Sequence, residues 1–252
     1  MKEETRQLLK ELAERYETHN FIVDDPVMFP SRYHKQVDIE IVGFIASWLA
    51  YGNRKAIIKT CETLFKEMLE YAPSPYHFIM DKSYVKFSRN HPVNKCLYRF
   101  YKYKDFYDLC ESLRMIYKKH PTMETAMFDK LANRRKIGVY PIQSLIDLFP
   151  ERVKGVPHDT KSACKRLCMF MRWMARKNSP VDLGIWRHFD PKYLLMPLDT
   201  HVARIGRQLG LITLKRNNMD TVLELTYNCR QVFPKDPCKC DFALFGYGVN
   251  NK

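Results

Sequence analysis

Residues 197–211 read PLDTHVARIGRQLGL, and this stretch predicts the start of a helix with a carboxylate at its amino end. Asp199 stands where a side chain accepts hydrogen bonds from the first free N–H groups of a helix. Val202, Ile205 and Leu209 follow at helical spacing and are expected to face a core. Capping explains the carboxylate, and it leaves open whether Asp199 has a second role.

The other segments show helical periodicity rather than the alternation typical of strands, and glycine is scarce at nine residues. We therefore predict an all-α fold. A proline-containing stretch, NSPVDLGIWRHFDPKYLLMP at 178–197, is the expected crossing between domains. The predicted helices span 3–18, 38–51, 54–71, 93–101, 104–119, 122–134, 141–149, 160–177, 199–209, 218–232 and 238–247.

Length and composition indicate a globular protein. The chain has 252 residues, of which 46% are apolar, enough for one large or two small domains. Its start, MKEETRQLLKELAERYE, has the pattern of a charged amphipathic helix rather than a secretion signal. The apolar stretch 39–52 contains Glu40, falls short of the roughly 18 residues of a membrane span, and predicts a buried helix. We expect a protein without membrane association, located in the cytoplasm with the nucleoid.

The charge of the chain points to a polyanionic partner. Lysine and arginine number 42 against 28 acidic residues, a net charge of +14. The stretch 161–181 holds six basic residues and no acidic one, whereas a solvated helix face usually mixes both signs. We therefore predict that this stretch faces the phosphates of a nucleic acid. The six residues are Lys161, Lys165, Arg166, Arg172, Arg176 and Lys177.

The eight cysteines do not form a metal-binding pattern. Cys164 and Cys168 are one helical turn apart, but no second pair or histidine lies at ligand spacing. Cys238 and Cys240 likewise lack a third and fourth ligand. We predict no metal site and expect the cysteines to be reduced and mostly buried.

A tyrosine-rich run, YRFYKYKDFYDL at 98–109, permits two interpretations. Aromatic residues interleaved with lysine and arginine could stack on the bases of a single-stranded nucleic acid. At helical spacing, however, Phe100, Tyr103, Phe106 and Tyr107 form an apolar stripe. We favour the interpretation that these rings belong to a core.

Several segments resemble the helix-hairpin-helix DNA glycosylase superfamily, which includes endonuclease III and the 8-oxoguanine glycosylases. LDTHVARIGRQLGL at 198–211 is similar to the segment that carries the catalytic aspartate of that superfamily, and KSACKRL at 161–167 is similar to part of its hairpin motif. IVGFIASWLAYGNRKAI at 41–57 and DFALFGYG at 241–248 resemble an early and a late helix.

The resemblance implies a two-lobed fold with DNA bound in the cleft between the lobes. One lobe would comprise 1–44 and 195–252, and the other 45–194. The chain stops where endonuclease III would begin its four-cysteine loop, so no iron-sulfur cluster and no other cofactor is expected. At finer grain, KRLCMFMRWM followed by LGIW and PLDTHV resembles an uncharacterised bacterial family assigned to a domain of unknown function.

By the same resemblance, Asp199 is the catalytic carboxylate of a DNA glycosylase, and Lys161 or Lys165 is the amine used by members that also cut the backbone. A carboxylate near C1′ stabilises the positive charge that develops when the N-glycosidic bond breaks. The partner would be double-stranded DNA, with no known protein partner. The expected DNA-binding residues are Arg54, Lys161, Lys165, Arg166, Arg172, His201 and Arg204.

Two alternatives remain open at this point. The stretch GVPHDTKSA lacks the second glycine of the hairpin motif, which favours a binding module that has the fold without the chemistry. The positive charge could also serve solubility alone. Four aromatic residues could wall a base pocket, although each is more simply explained as a core residue. They are Trp173, Trp186, Phe189 and Tyr193.

Overall fold

The computed structural model describes residues 1–132 and 140–250, and it is mainly helical. The all-α prediction is confirmed at the level of fold class. A short antiparallel hairpin and single turns of 3-10 helix at Pro26–Met28, Pro30–Arg32 and Pro191–Tyr193 accompany the helices. In chain order the elements are α1 (Glu3–Tyr16), α2 (Asn20–Val23), α3 (Gln36–Leu49), α4 (Arg54–Tyr71), α5 (Pro75–Met80), α6 (Ser83–Phe87), β1 (Cys96–Tyr98), β2 (Tyr101–Lys102), α7 (Tyr103–Lys119), α8 (Met123–Ala132), α9 (Tyr140–Ile146), α10 (Lys165–Ala175), α11 (Thr200–Gln208), α12 (Met219–Val232) and α13 (Lys239–Asn250).

Two predicted helices differ from the structure. The prediction over 93–101 is wrong, because this segment forms the hairpin β1–β2, in which Tyr98 pairs with Tyr101. Arg99, in the turn, has a φ of +52°, which a right-handed helix does not accept. The helix expected over 160–177 begins only at α10, because Ser162 pairs with a distant backbone segment and Cys164 has a φ of +46°.

Three short helices, α2, α5 and α6, have no counterpart among the predictions, because they are too short to show a clear period. The last residues of the helix predicted over 122–134 lie outside the described part of the chain.

The chain divides into two compact units, one formed by 1–23 and 159–252 and the other by 24–158. These boundaries differ from the lobes expected, 1–44 with 195–252 and 45–194. One physical reason is that the side chains of α10 pair with residues of α13, which joins the basic stretch to the C-terminal unit. The expected crossing at 178–197 therefore lies inside one unit, and the chain passes between the units twice, near 23 and near 158.

The unit 24–158 is built around α3, whose residues from Asp38 to Leu49 are all buried, as predicted. Asp38 accepts a hydrogen bond from the backbone N–H of Tyr76 at the start of α5 (2.8 Å). Glu40 accepts the hydroxyl of Tyr117 (2.9 Å) and the N–H of Met123 (2.8 Å). These acidic side chains are buried because they satisfy the free donors of two helix starts.

The unit formed by 1–23 and 159–252 is organised around α13, which packs against α1 and α11. Close approach requires glycine at position 246, because a Cβ built there would lie 2.4 Å from Cγ of Tyr16. At Gly248, a Cβ would lie 3.1 Å from Cβ of His201. The tight packing of α11 on α13 fixes the amino end of α11, where Asp199 stands.

Two chain-wide expectations can be compared with the structure. Seven of the eight cysteines are buried and Cys96 is exposed, which confirms that most are buried as small apolar residues. Burial raises the pKa of the thiols of Cys110 and Cys168 well above their ordinary value. In the described ranges, none of the helices is long and apolar enough to cross a membrane.

Candidate active site

Asp199 caps α11, as its sequence position predicts. Its Oδ1 accepts the N–H of Val202 at 2.8 Å, and its backbone carbonyl accepts the N–H of Ala203 at 2.8 Å. One carboxylate oxygen is therefore held by the helix start, which fixes the orientation of the other. The cap accounts for the position of the carboxylate and leaves Oδ2 facing the end of a neighbouring helix.

Lys165, the first residue of α10, is the cation beside that oxygen. Its Nζ lies 3.7 Å from Oδ2 of Asp199, close enough for attraction but longer than a hydrogen bond. The Lys165 side chain is 35% exposed, so the amine lies between the protein interior and solvent. The structure thus brings together a fixed carboxylate and an amine within the unit 1–23 and 159–252.

Lys161, the other candidate amine, is placed differently. It lies in the loop before α10, its side chain is 91% exposed, and its Nζ lies 3.3 Å from Oδ2 of Asp159. Its neighbours line an open depression of about 410 Å³, formed by Asp159, Thr160, Lys161, Asn218, Met219 and Asp220. Of the two lysines, Lys165 is the one paired with Asp199.

Behind Lys165, the basic residues of α10 turn inward. Arg172 is buried and its Nε lies 3.2 Å from Asp182, while its Nη1 contacts Asp241 of α13. Arg176 is also buried and pairs with Asp182 (2.5 Å) and Asp236 (2.8 Å). The expectation that Arg172 binds DNA phosphates is wrong, because its guanidinium is buried and is already paired with the carboxylates of Asp182 and Asp241.

Further contacts complete this buried charge cluster. Glu17 accepts Nη2 of Arg176 at 2.8 Å and the hydroxyl of Ser179 at 2.8 Å. The ring of Phe242 lies 4.5 Å below the guanidinium of Arg172 and 5.1 Å below that of Arg176. Although burial alone lowers the pKa of Arg176, Asp182 and the other carboxylates raise it above its ordinary value. The cluster holds α10 against α1, α13 and the segment 176–182.

Asp241 connects the cluster to the Lys165–Asp199 pair. Burial raises its pKa to about 6, Arg172 opposes that rise, and the charges of Asp199 and Lys165 act on it in opposite directions. Asp241 is not among the site residues predicted from the sequence, because its partner Arg172 lies 69 residues away in the chain. The one available signal was an aspartate at the start of the apolar helix DFALFGYG.

The remaining predicted DNA-binding residues are spread over both units. His201 Nδ1 lies 3.1 Å from the carbonyl oxygen of Gly248, which also accepts Nη2 of Arg204 at 2.8 Å, so both side chains help pack α11 on α13. Arg166 is half-buried on α10. Arg54, which starts α4 in the unit 24–158, lies 3.8 Å from Asp25.

The aromatic candidates for a base pocket are mostly core residues. Trp173, Trp186 and Phe189 are buried, whereas Tyr193 is exposed beside Lys192. Within residues 1–132 and 140–250, no group of three histidine, cysteine or acidic side chains has the arrangement of a metal site.

Comparison with known proteins identifies a family without an established activity. Neither the curated proteins nor the solved structures give a match to this chain. A family model described as "Protein of unknown function (DUF2400)" matches residues 25–250, and the chain belongs to that family.

Proposed function

We propose that the protein is a DNA-binding base-excision repair enzyme, a DNA glycosylase with a two-lobed helix-hairpin-helix glycosylase-like fold. Its substrate would be a damaged base in double-stranded DNA of the cytoplasmic nucleoid. The observation that carries the proposal is the pair at the start of α11, where Asp199 Oδ2 lies 3.7 Å from Nζ of Lys165.

The chemistry follows from the two groups. As the bond between C1′ and the base nitrogen breaks, its electron pair leaves with the base, and the ionised carboxylate of Asp199 stabilises the positive charge on the sugar. Either water, whose proton passes to the departing base, or the amine of Lys165, after its ammonium has given a proton to water, then forms a new bond to C1′. With the amine, loss of a proton and opening of the sugar ring produce a Schiff base, which borohydride reduces to a stable secondary amine.

Asp199→Asn tests the carboxylate, because asparagine retains an oxygen for the N–H of Val202 and removes the charge. We expect excision by the folded variant to fall by roughly 100-fold or more. Asp190→Asn is the matched control, since Asp190 also caps a helical turn and lies 2.9 Å from Nζ of Lys192. Wild-type rates in Asp199→Asn would contradict the catalytic role.

Lys165→Gln tests the amine in the same assays, with Lys192→Gln as its control. Purified variants are incubated with duplexes carrying 8-oxoguanine, uracil, an oxidised pyrimidine or an abasic site, with and without borohydride. Loss of the covalent adduct in Lys165→Gln alone would identify a glycosylase with lyase activity and its nucleophile. Excision without an adduct would indicate an enzyme that uses Asp199 and water.

A non-catalytic nucleic-acid-binding module is the second candidate. The loop before α10 favours it, since the N–H of Lys161 donates to Asp159 at 2.9 Å rather than being open to a phosphate. Tight duplex binding without excision on any lesion would support this candidate and reject the enzyme.

A further inference from the structure

Two aromatic rings in the unit 24–158 are exposed side by side. Tyr51, after α3, is 48% exposed, and Phe100, in the turn of the β1–β2 hairpin, is 43% exposed. Their ring centroids are 5.2 Å apart in an edge-to-face arrangement. The expectation that Phe100 belongs to a helical apolar stripe is wrong, because the hairpin turn directs it outward while Tyr103 and Phe106 are buried.

The exposed pair continues inward as a ladder of rings. Phe100 lies 4.5 Å from Tyr101, and Tyr101 lies 4.1 Å from Trp48, measured between centroids. Tyr101 and Trp48 are buried. Since the inner rings are packed in the core, they support the outer rings from behind and reduce the ordering cost of binding on them.

Hydrogen bonds to the backbone fix the three segments that carry these rings. The hydroxyl of Tyr98 donates to the carbonyl of Tyr51 at 2.9 Å, and Nε1 of Trp48 donates to the carbonyl of Lys154 at 2.7 Å. Gly155, with a φ of +87°, allows this approach, because a Cβ there would lie 2.7 Å from Nε1 of Trp48. The exposed rings are therefore held in place rather than left free to collapse on the surface.

A cation lies over each of the two rings. The guanidinium of Arg99 lies 5.1 Å from the ring centroid of Tyr51, and Nζ of Lys154 lies 5.5 Å from that of Phe100. Both basic side chains are exposed. We call Tyr51, Arg99, Phe100 and Lys154 the aromatic platform. The carboxylate of Asp105, 3.5 Å from Lys154, offsets part of its positive charge.

The exposed rings and the cations beside them together indicate what kind of ligand the platform would bind. Partly exposed aromatic rings can stack on flat aromatic groups, and the cations beside them attract negative charge. Unpaired nucleotides supply both, as each base has a π-face and each linkage carries a phosphate, whereas the bases of an intact duplex are already stacked on one another. A fully apolar partner would leave Arg99 and Lys154 without water or a counter-charge.

We propose that the aromatic platform binds unpaired nucleotides of a nucleic acid, with Tyr51 and Phe100 stacking on bases and Arg99 and Lys154 contacting the flanking phosphates. The platform belongs to the unit 24–158, whereas Asp199 and Lys165 belong to the unit 1–23 and 159–252. The proposal does not depend on the chemistry proposed for Asp199 and Lys165.

The test measures binding of the full-length protein to fluorescein-labelled dT12 and rU12 and to a blunt 12-base-pair duplex, by fluorescence anisotropy. Phe100→Ala and Tyr51→Ala should each weaken dT12 binding by roughly 10-fold, and the duplex much less. Phe100→Tyr should restore affinity, because it restores an aromatic face. Tyr227→Ala is the matched control, since Tyr227 is 63% exposed on α12, in the other unit.

Each outcome decides the proposal. Comparable losses on dT12 and rU12 support a platform for unpaired nucleotides of either kind, and a loss on only one identifies which nucleic acid is bound. Wild-type binding by both alanine variants overturns the proposal, as does an equal loss on the blunt duplex or on polyglutamate, which has charge without bases. Excision is measured in its own assays, so failure of the glycosylase proposal and loss of dT12 binding are distinguishable.

Discussion

Charged groups hold the site at Lys165 and Asp199, whereas aromatic rings and backbone hydrogen bonds hold the aromatic platform. In the unit 1–23 and 159–252, the helix that carries Lys165 is fastened by Arg172 and Arg176, both buried with several carboxylates. In the unit 24–158, the outer ring of Phe100 rests on a ladder of neutral rings. The two regions thus position exposed groups by different kinds of buried support.

This difference in support determines how much stability each region loses when one side chain is substituted. A buried ion pair that loses one partner leaves a charge out of water, which costs more than the pair itself contributes. A stacked ring that loses a neighbour loses only dispersion and burial, in proportion to the contact removed. Removing one charged partner should therefore cost the charged site a large amount of stability, whereas removing one ring should cost the platform a smaller amount.

The largest expected effect comes from Arg176→Ala. Removing this guanidinium leaves Glu17, Asp182 and Asp236 facing one another, and we expect the free energy of unfolding to fall by about 3–5 kcal/mol. Urea unfolding followed by circular dichroism measures the change. Lys177→Ala is the control, because Lys177 is exposed, and its effect should stay within about 0.5 kcal/mol. Equal effects of the two variants would show that the buried cluster does not support α10.

A smaller effect is expected at the base of the ladder. Trp48→Phe keeps an aromatic ring but removes the N–H that donates to the carbonyl of Lys154, and we expect a loss of about 1–3 kcal/mol. Phe100→Ala, at the exposed end, should change stability by less than about 0.5 kcal/mol. If both variants were equally destabilised, the outer ring would be part of the core.

Trp48→Phe also allows the unfolding of the two units to be followed separately. The chain has three tryptophans, and without Trp48 only Trp173 and Trp186 of the other unit remain as fluorescent reporters. Urea unfolding of Trp48→Phe followed by fluorescence then reports on the unit 1–23 and 159–252, while circular dichroism reports on both. Transitions at different urea concentrations would show that the units unfold independently.

The periodicity of the sequence predicted those structural features that depend on residues close together in the chain. The buried helix α3 and the cap at Asp199 follow from residues within one or two turns, so both were accessible from sequence. The partners of Arg172 lie 10 and 69 residues further on, at Asp182 and Asp241. No local pattern distinguishes an arginine that meets such carboxylates from one that faces solvent.

The stacking interpretation of the run 98–109 was set aside in favour of a core for a related reason. The spacing of Phe100, Tyr103 and Phe106 fits a helix, but the left-handed residue Arg99 and the pairing of Tyr98 with Tyr101 place a hairpin there. A shift from helical to hairpin geometry changes which side chains face out, even when the composition is unchanged.

Asp241 tests, through a small pH-dependent effect, which force dominates in the charged region. Burial, together with the charges of Asp199 and Asp182, raises the pKa of its carboxyl to about 6 against the opposing charges of Arg172 and Lys165. A folded-state pKa above the unfolded value contributes stability that is complete below the unfolded pKa and is lost as the pH rises through 6. Stability contributed by this group should therefore fall between about pH 4 and pH 6.

Asp241→Asn removes this titration, so the stability of the wild type relative to the variant should decrease by about 1 kcal/mol from pH 5 to pH 7. Urea unfolding of both proteins at several pH values measures this change. Any effect of the substitution that does not depend on pH cancels, because only the change with pH is compared. Asp190→Asn should show no such trend, because a hydrogen bond from Lys192 lowers the pKa of Asp190 and its titration lies below this window. If the stability of the wild type relative to Asp241→Asn instead rose with pH, attraction to Arg172 would outweigh the effect of burial on Asp241. The ion pairs of the charged region would then contribute more stability than the burial of their charges costs.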